Sequence, residues 1–122
     1  MKSPLRLADY LAHILEAISR IGEYTDGLDE VGFLKNRMAQ DAVIRNLEVI
    51  GEACRNIRRH EPVAVESYPE VPWGFAVGMR NVLSHGYFKV DLEAVWKTVE
   101  RDLPELARQI ASLRESLAGN DP

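Results

Sequence analysis

Arg80, His85 and Tyr87, in the stretch "RNVLSHGY", put a guanidinium, an imidazole and a phenol within eight residues. A guanidinium offers a fork of donors to a phosphate oxygen and stabilises negative charge that grows in a transition state. An imidazole that titrates near neutrality moves a proton. Brought together at a cleft, the two are a plausible set for cleaving a phosphodiester. RNA carries its own nucleophile in the 2′-hydroxyl, so the chemistry needs no metal. One histidine per chain is few for both the acid and the base role, and a symmetric dimer would supply two to a shared cleft.

Helical spacing places Arg80 and Tyr87 on nearly one face about two turns apart, while His85 points elsewhere. A helix break at Gly86 lets the imidazole swing back. The same residues also have a bland reading. His85 then sits against the free carbonyls of a helix end, Arg80 pairs with Glu48 or Glu52 of a neighbouring helix, and Tyr87 plugs a core edge. Ser84 is structural in either case, because adjacent side chains rarely form a nucleophile–base pair and no acidic orienter is near it in the chain.

The elements that must hold this segment are helices. Ser3 followed by Pro4 predicts the start of a first helix, with the stripe Leu7, Leu11, Ile14, Ile18 and Ile21 running to the turn cluster "TDGLD" and Gly27 as its stop. Asp29 is the expected cap of a short piece, "EVGFLKN". The next helix, "MAQDAVIRNLEVIGEACRNIRR", is apolar over more than one stripe and is expected between two neighbours. Cys54 falls on that stripe as a small buried hydrophobe. Gly51 and Ala53 suggest close approach of another helix, His60 is a cation at the helix end, and His13 is solvated. "HEPVAVESYPEVP", with three prolines, reads as a loop with at most one short turn. Helix resumes at "PWGFAVGMRNVLSH", with Trp73 anchoring its start in the core. Asp91 caps a last stripe from Leu92 to Leu117 that stays in phase across Pro104, so a kinked helix or two abutting ones are expected there.

No segment alternates with period two for long, so the fold class is all-α: an up-and-down bundle of roughly four main helices plus short pieces. The chain of 122 residues is long enough for one domain with its own core, spanning 1–122 with 118–122 as a frayed tail. A single cysteine excludes an internal disulfide and points to a reducing, cytoplasmic setting. No signal peptide and no membrane span is expected. The net charge of −4 argues against bulk attraction to nucleic acid, yet from Lys35 to Arg59 the bases outnumber the acids. The plain reading of that bias is a solvated helix face.

"RNVLSHGY" resembles the R-x4-H-x-Y motif of HepT-type toxins in the HEPN superfamily of small α-helical proteins. "DAVIRNLEVIGEA", "VPWGFAVGMRN", "HGYFKVD" and "VWKTVERDLPEL" read like that family's blocks, in its order, and the likeness runs from about Leu5 to Leu113. A lone R-x4-H is weak; these blocks together are specific. Cys54 stands where a small residue such as alanine is usual, which leaves the site untouched. The resemblance implies a metal-independent endoribonuclease toxin, acting as a homodimer and paired with a minimal nucleotidyltransferase antitoxin, as in type VII toxin–antitoxin pairs. It implies catalytic roles for Arg80 and His85, and a substrate-binding or orienting role for Asn81. It implies adenylylation of Tyr87 by the antitoxin; phosphate and bulk there would repel RNA. No cofactor is implied. The alternative is a non-catalytic helical module that docks a nucleotidyltransferase or holds a nucleotide, with Arg80 as a passive clasp.

Overall fold

The computed structural model describes residues 6–74, 77–79, 83 and 90–119. The described residues contain helices and no strand, so the all-α expectation holds. In chain order the helices are α1 (Leu7–Tyr24), α2 (Glu30–Leu34), α3 (Arg37–His60), α4 (Pro62–Ser67), α5 (Leu92–Lys97) and α6 (Leu103–Gly119). A π-helical segment, Thr98–Asp102, joins the last two. Trp73, Gly74, Val77, Gly78, Met79 and Leu83 are also helical. None of the helices is long and apolar enough, over the described residues, to cross a membrane.

The helices start where short polar side chains can satisfy free N–H groups. Asp29 Oδ1 accepts from the Gly32 N–H at 2.7 Å, and Asp91 Oδ1 from the Ala94 N–H at 3.1 Å, both as expected from sequence. Asn36 does the same for α3, accepting from the Ala39 N–H at 2.9 Å. The first helix differs from expectation. Arg6 is extended and α1 begins at Leu7, where Asp9 Oδ2 accepts from the Arg6 N–H at 3.1 Å; Ser3 and Pro4 lie outside the described residues. After α1 the chain turns at Gly27, whose φ of +78° suits a residue without Cβ.

Two prolines shape the remaining elements, one against expectation and one in line with it. The expected loop after His60 contains the helix α4, because Pro62 takes its first position, where no N–H is required. At Pro104 there is no loop, as the in-phase stripe predicts: two α-helices abut through a π turn. The helical run from Leu92 to Gly119 is continuous, and the wider π turn ends at the Leu103 N–H, which donates to the Thr98 carbonyl five residues back. A proline ring clashes with the carbonyl four residues earlier, and a widened turn just before it gives that ring room.

Packing follows the stripes. α1 lies against α3 and α6, while α2 bridges α3 and α5. Leu11, Ile14 and Ile21 of α1, Val43, Cys54 and Ile57 of α3, and Ile110 and Leu113 of α6 are buried. Each such aliphatic side chain contributes about 1.5–3 kcal/mol on leaving water. Phe33 of α2 meets Trp96 of α5 with ring centroids 5.3 Å apart and tilted by 32°. Gln40, buried under this layer, donates from Nε2 to the Phe33 carbonyl at 2.9 Å, so its amide nitrogen is satisfied. Burial pushes the Cys54 thiol up to about 12, in keeping with a structural hydrophobe.

Candidate functional site

Arg80, Asn81, His85 and Tyr87 lie outside the described residues, as do Ser84 and Gly86. The frame on either side of them is described. Upstream, Val71 and Trp73 are buried, and the indole Nε1 donates to the Tyr68 carbonyl at 3.2 Å. The expected anchoring of this helix start by Trp73 is therefore seen. Leu83 is buried in the core and Met79 packs partly buried against it. Met79 shares a small void of about 30 Å³ with Leu47 and Ile50 of α3 and with Thr98, Leu103 and Leu106. Downstream, Val90 packs against the core and Asp91 opens α5. Met79, the described residue just before the motif in sequence, thus lies between α3 on one side and the π segment with α6 on the other.

Leu47 and Ile50 of α3 line the same void as Met79, the residue just before Arg80 in sequence, and Glu48 and Glu52 sit on the same helix. Glu48 is half-buried and Glu52 exposed. Both line an open cleft of about 310 Å³ between α3 and α1, with Tyr10, His13, Arg45 and Asn56. Early α1 residues face late α3 residues across this cleft, so the two helices run antiparallel. Arg80, the expected partner of one of these carboxylates, is outside the described residues. His13 is exposed, as expected for a residue off the apolar stripe, and it also belongs to the cleft. Sequence periodicity assigned His13 to solvent and had no signal for the cleft, which depends on how two helices cross.

The π segment also bears on the site. Thr98 is buried and its hydroxyl donates to the Ala94 carbonyl at 3.0 Å. This keeps a polar group satisfied beside the void at Met79. Among the described residues no group of histidine, cysteine, aspartate and glutamate is arranged to hold a metal ion.

Comparison with known proteins adds what the frame alone does not carry. The family model described as "Ribonuclease HepT-like" matches residues 14–113. The chain belongs to the HepT-like ribonuclease family. A "Probable ribonuclease HepT" of Thermococcus cleftensis is 43% identical over 107 residues, which cover 88% of this chain and 94% of that protein. A protein of Methanocaldococcus jannaschii named "Putative RNase" is 41% identical over 101 residues, covering 83% of this chain and 90% of its own length. Another from that organism, whose name joins a gamma-glutamylcyclotransferase to an RNase, is 42% identical over 112 residues; the HepT-like chain spans 49% of it. No solved structure matches. The matched stretch of the family model contains the whole of "RNVLSHGY", so the Arg–His–Tyr segment is part of the HepT-like region rather than an appendage to it.

Proposed function

We propose that this HepT-like chain is a metal-independent RNA endonuclease and the toxin of a toxin–antitoxin pair. The observation that carries the reading is the R-x4-H-x-Y pattern at Arg80, His85 and Tyr87 inside the stretch matched by the ribonuclease HepT-like family. Relatives with ribonuclease names that align over nearly their whole length support it.

Arg80 holds a non-bridging oxygen of the scissile phosphate, and its fixed charge counts most as the pentacoordinate phosphorus gains negative charge. A histidine removes the proton of the 2′-hydroxyl, the 2′-oxygen attacks phosphorus, and the 5′-oxygen leaves with a proton from the conjugate acid. The products are a 2′,3′-cyclic phosphate and a 5′-hydroxyl. One His85 from each copy of a homodimer provides the base and the acid. Asn81 steadies Arg80 or the RNA, and Glu48 or Glu52 orients the guanidinium. Tyr87 is a brake: when a nucleotidyltransferase antitoxin transfers AMP from ATP to the phenol, releasing pyrophosphate, the added phosphate repels the substrate.

The test is cleavage of a single-stranded RNA by purified protein in excess EDTA. The parent is expected to cut and to leave cyclic-phosphate ends, and His85→Ala or Arg80→Ala to be slower by roughly 10²–10⁴-fold. Cleavage by His85→Ala at the parent's rate at several pH values would overturn the assignment. Tight RNA binding by the parent without any cut would make the protein a binding module.

A further inference from the structure

Tyr10 is only 6% exposed, so its ring is part of the core, yet it also lines the cleft between α1 and α3. Its hydroxyl makes no hydrogen bond among the described residues, whereas that of Tyr68 meets Ser116 Oγ at 3.3 Å. A phenol set this deeply normally finds a partner. Among the described side chains the enclosed polar atom without a partner is Gln109 Oε1, so the Tyr10 hydroxyl is not sealed in; it opens into the cleft.

Facing it, α3 presents Arg45, Glu48, Glu52 and Asn56, spaced three and four apart and therefore on one helical face. His13 stands one turn after Tyr10 on the α1 bank. The lining thus joins a cation, two carboxylates, an amide and two aromatic rings around about 310 Å³. A second hollow of about 160 Å³ shares the His13 wall and extends the trough toward Arg20. Clefts of this size hold small organic groups. The mixed signs narrow the choice. A phosphate there would meet Glu48 and Glu52 as well as Arg45, and a hydrocarbon would strip polar groups of water without replacing their bonds. A neutral, flat group with donors and acceptors along its edge satisfies the lining.

A nucleobase is such a group, and the half-buried Glu48 decides which one. An ionised carboxylate only accepts, and it is best served by two donors side by side. Guanine presents them as N1–H and the N2 amino group. Uracil flanks its single ring N–H with carbonyls, and adenine and cytosine set a ring acceptor beside their amino group. The O6 and N7 atoms of guanine in turn suit a guanidinium. Arg45 lies about 4.5 Å from Glu48 along the helix axis, within the span of a purine edge. Tyr10 and His13 supply ring surface of the kind on which unstacked RNA bases rest.

We propose that the α1–α3 cleft is a subsite for one guanine base of the RNA substrate, with Glu48 and Arg45 reading its edge. The Tyr10 hydroxyl gains from the bound nucleoside the partner that the fold does not give it. The inference rests on the ribonuclease reading and adds a base preference to it; Glu52 is left to orient Arg80.

The test uses short uridine-rich oligoribonucleotides carrying one guanosine, or inosine in its place, with binding measured on His85→Ala so that the probe stays intact. Inosine lacks only the N2 amino group. The guanosine probe is expected to bind roughly tenfold tighter. Glu48→Gln, added to that background, exchanges one acceptor for a donor and should erase the difference. Tyr10→Phe should weaken the guanosine probe by several-fold and leave Tm as it was, because no bond within the protein is lost; thermal melts of both variants separate lost recognition from lost fold. Equal binding of the two probes, or a preference that survives Glu48→Gln, would overturn the subsite and leave the nuclease assignment standing. GMP that displaces the probe at concentrations below the probe's own Kd would overturn it in favour of a free nucleotide. No RNA binding by His85→Ala together with no cleavage by the parent would overturn both readings.

Discussion

At the scale of single residues, the chain separates groups kept reactive from groups kept inert. Cys54 is the clearest inert one, enclosed on the apolar stripe of α3 with its thiol raised to about 12. In the folded protein a thiol reagent at pH 8 should label less than a few per cent of it in the time that unfolded chain is fully labelled. The direction of its pH effect follows from the same burial. The folded chain keeps the thiol proton more tightly than the unfolded chain, whose pKa lies near 9.0, so stability is intact below that value and declines as pH rises toward 12. Cys54→Ala should remove that part of the alkaline decline, measured as urea midpoints at several pH values. His85, by contrast, precedes a glycine in the sequence, and its proposed role needs access to solvent and phosphate.

At the scale of elements, caps and turns decide where each helix begins and which residues it carries inward. Asn36 fixes the start of α3, the helix that bears the cleft carboxylates and part of the wall of the void at Met79. Asn36→Ala leaves the Ala39 N–H without this acceptor and should lower stability by about 1 kcal/mol, a fall of a few degrees in Tm. RNA cleavage at a temperature well below Tm should be unchanged, since no proposed contact to RNA is lost. Element boundaries were legible wherever one residue type has one strong local use. Asp29, Asp91 and Gly27 sit where their chemistry predicted. Continuity across Pro104 was legible from the in-phase stripe, and the π turn is how the chain achieves it; α4 was not legible, because a proline such as Pro62 can start a helix as well as break one. It also began α1 too early, since Ser3–Pro4 is a good cap signal but Asp9 provides another one turn on.

At the scale of the whole molecule, the proposed activity belongs to an assembly: two copies to supply two histidines, and a nucleotidyltransferase to restrain them. Co-expression with such an enzyme should add one or more AMP units to the chain, read by intact mass, and remove RNA cleavage and toxicity together. The added mass should vanish in Tyr87→Phe, which should stay toxic in the presence of the antitoxin. An unmodified parent that is nonetheless neutralised would point to restraint by docking alone.

Periodicity of apolar residues, a single cysteine and the Arg–His–Tyr spacing were enough to determine an all-α fold, an inert Cys54 and the chemistry to look for. Those properties are local or compositional: each depends on what a residue is and on neighbours a few positions away. The cleft between α1 and α3, the antiparallel pairing of those helices, and the seating of Met79 against α3 and the π segment were decided only in three dimensions. Pairing depends on which helices cross and at what distance, and coulombic contact is a matter of ångströms that sequence separation does not encode.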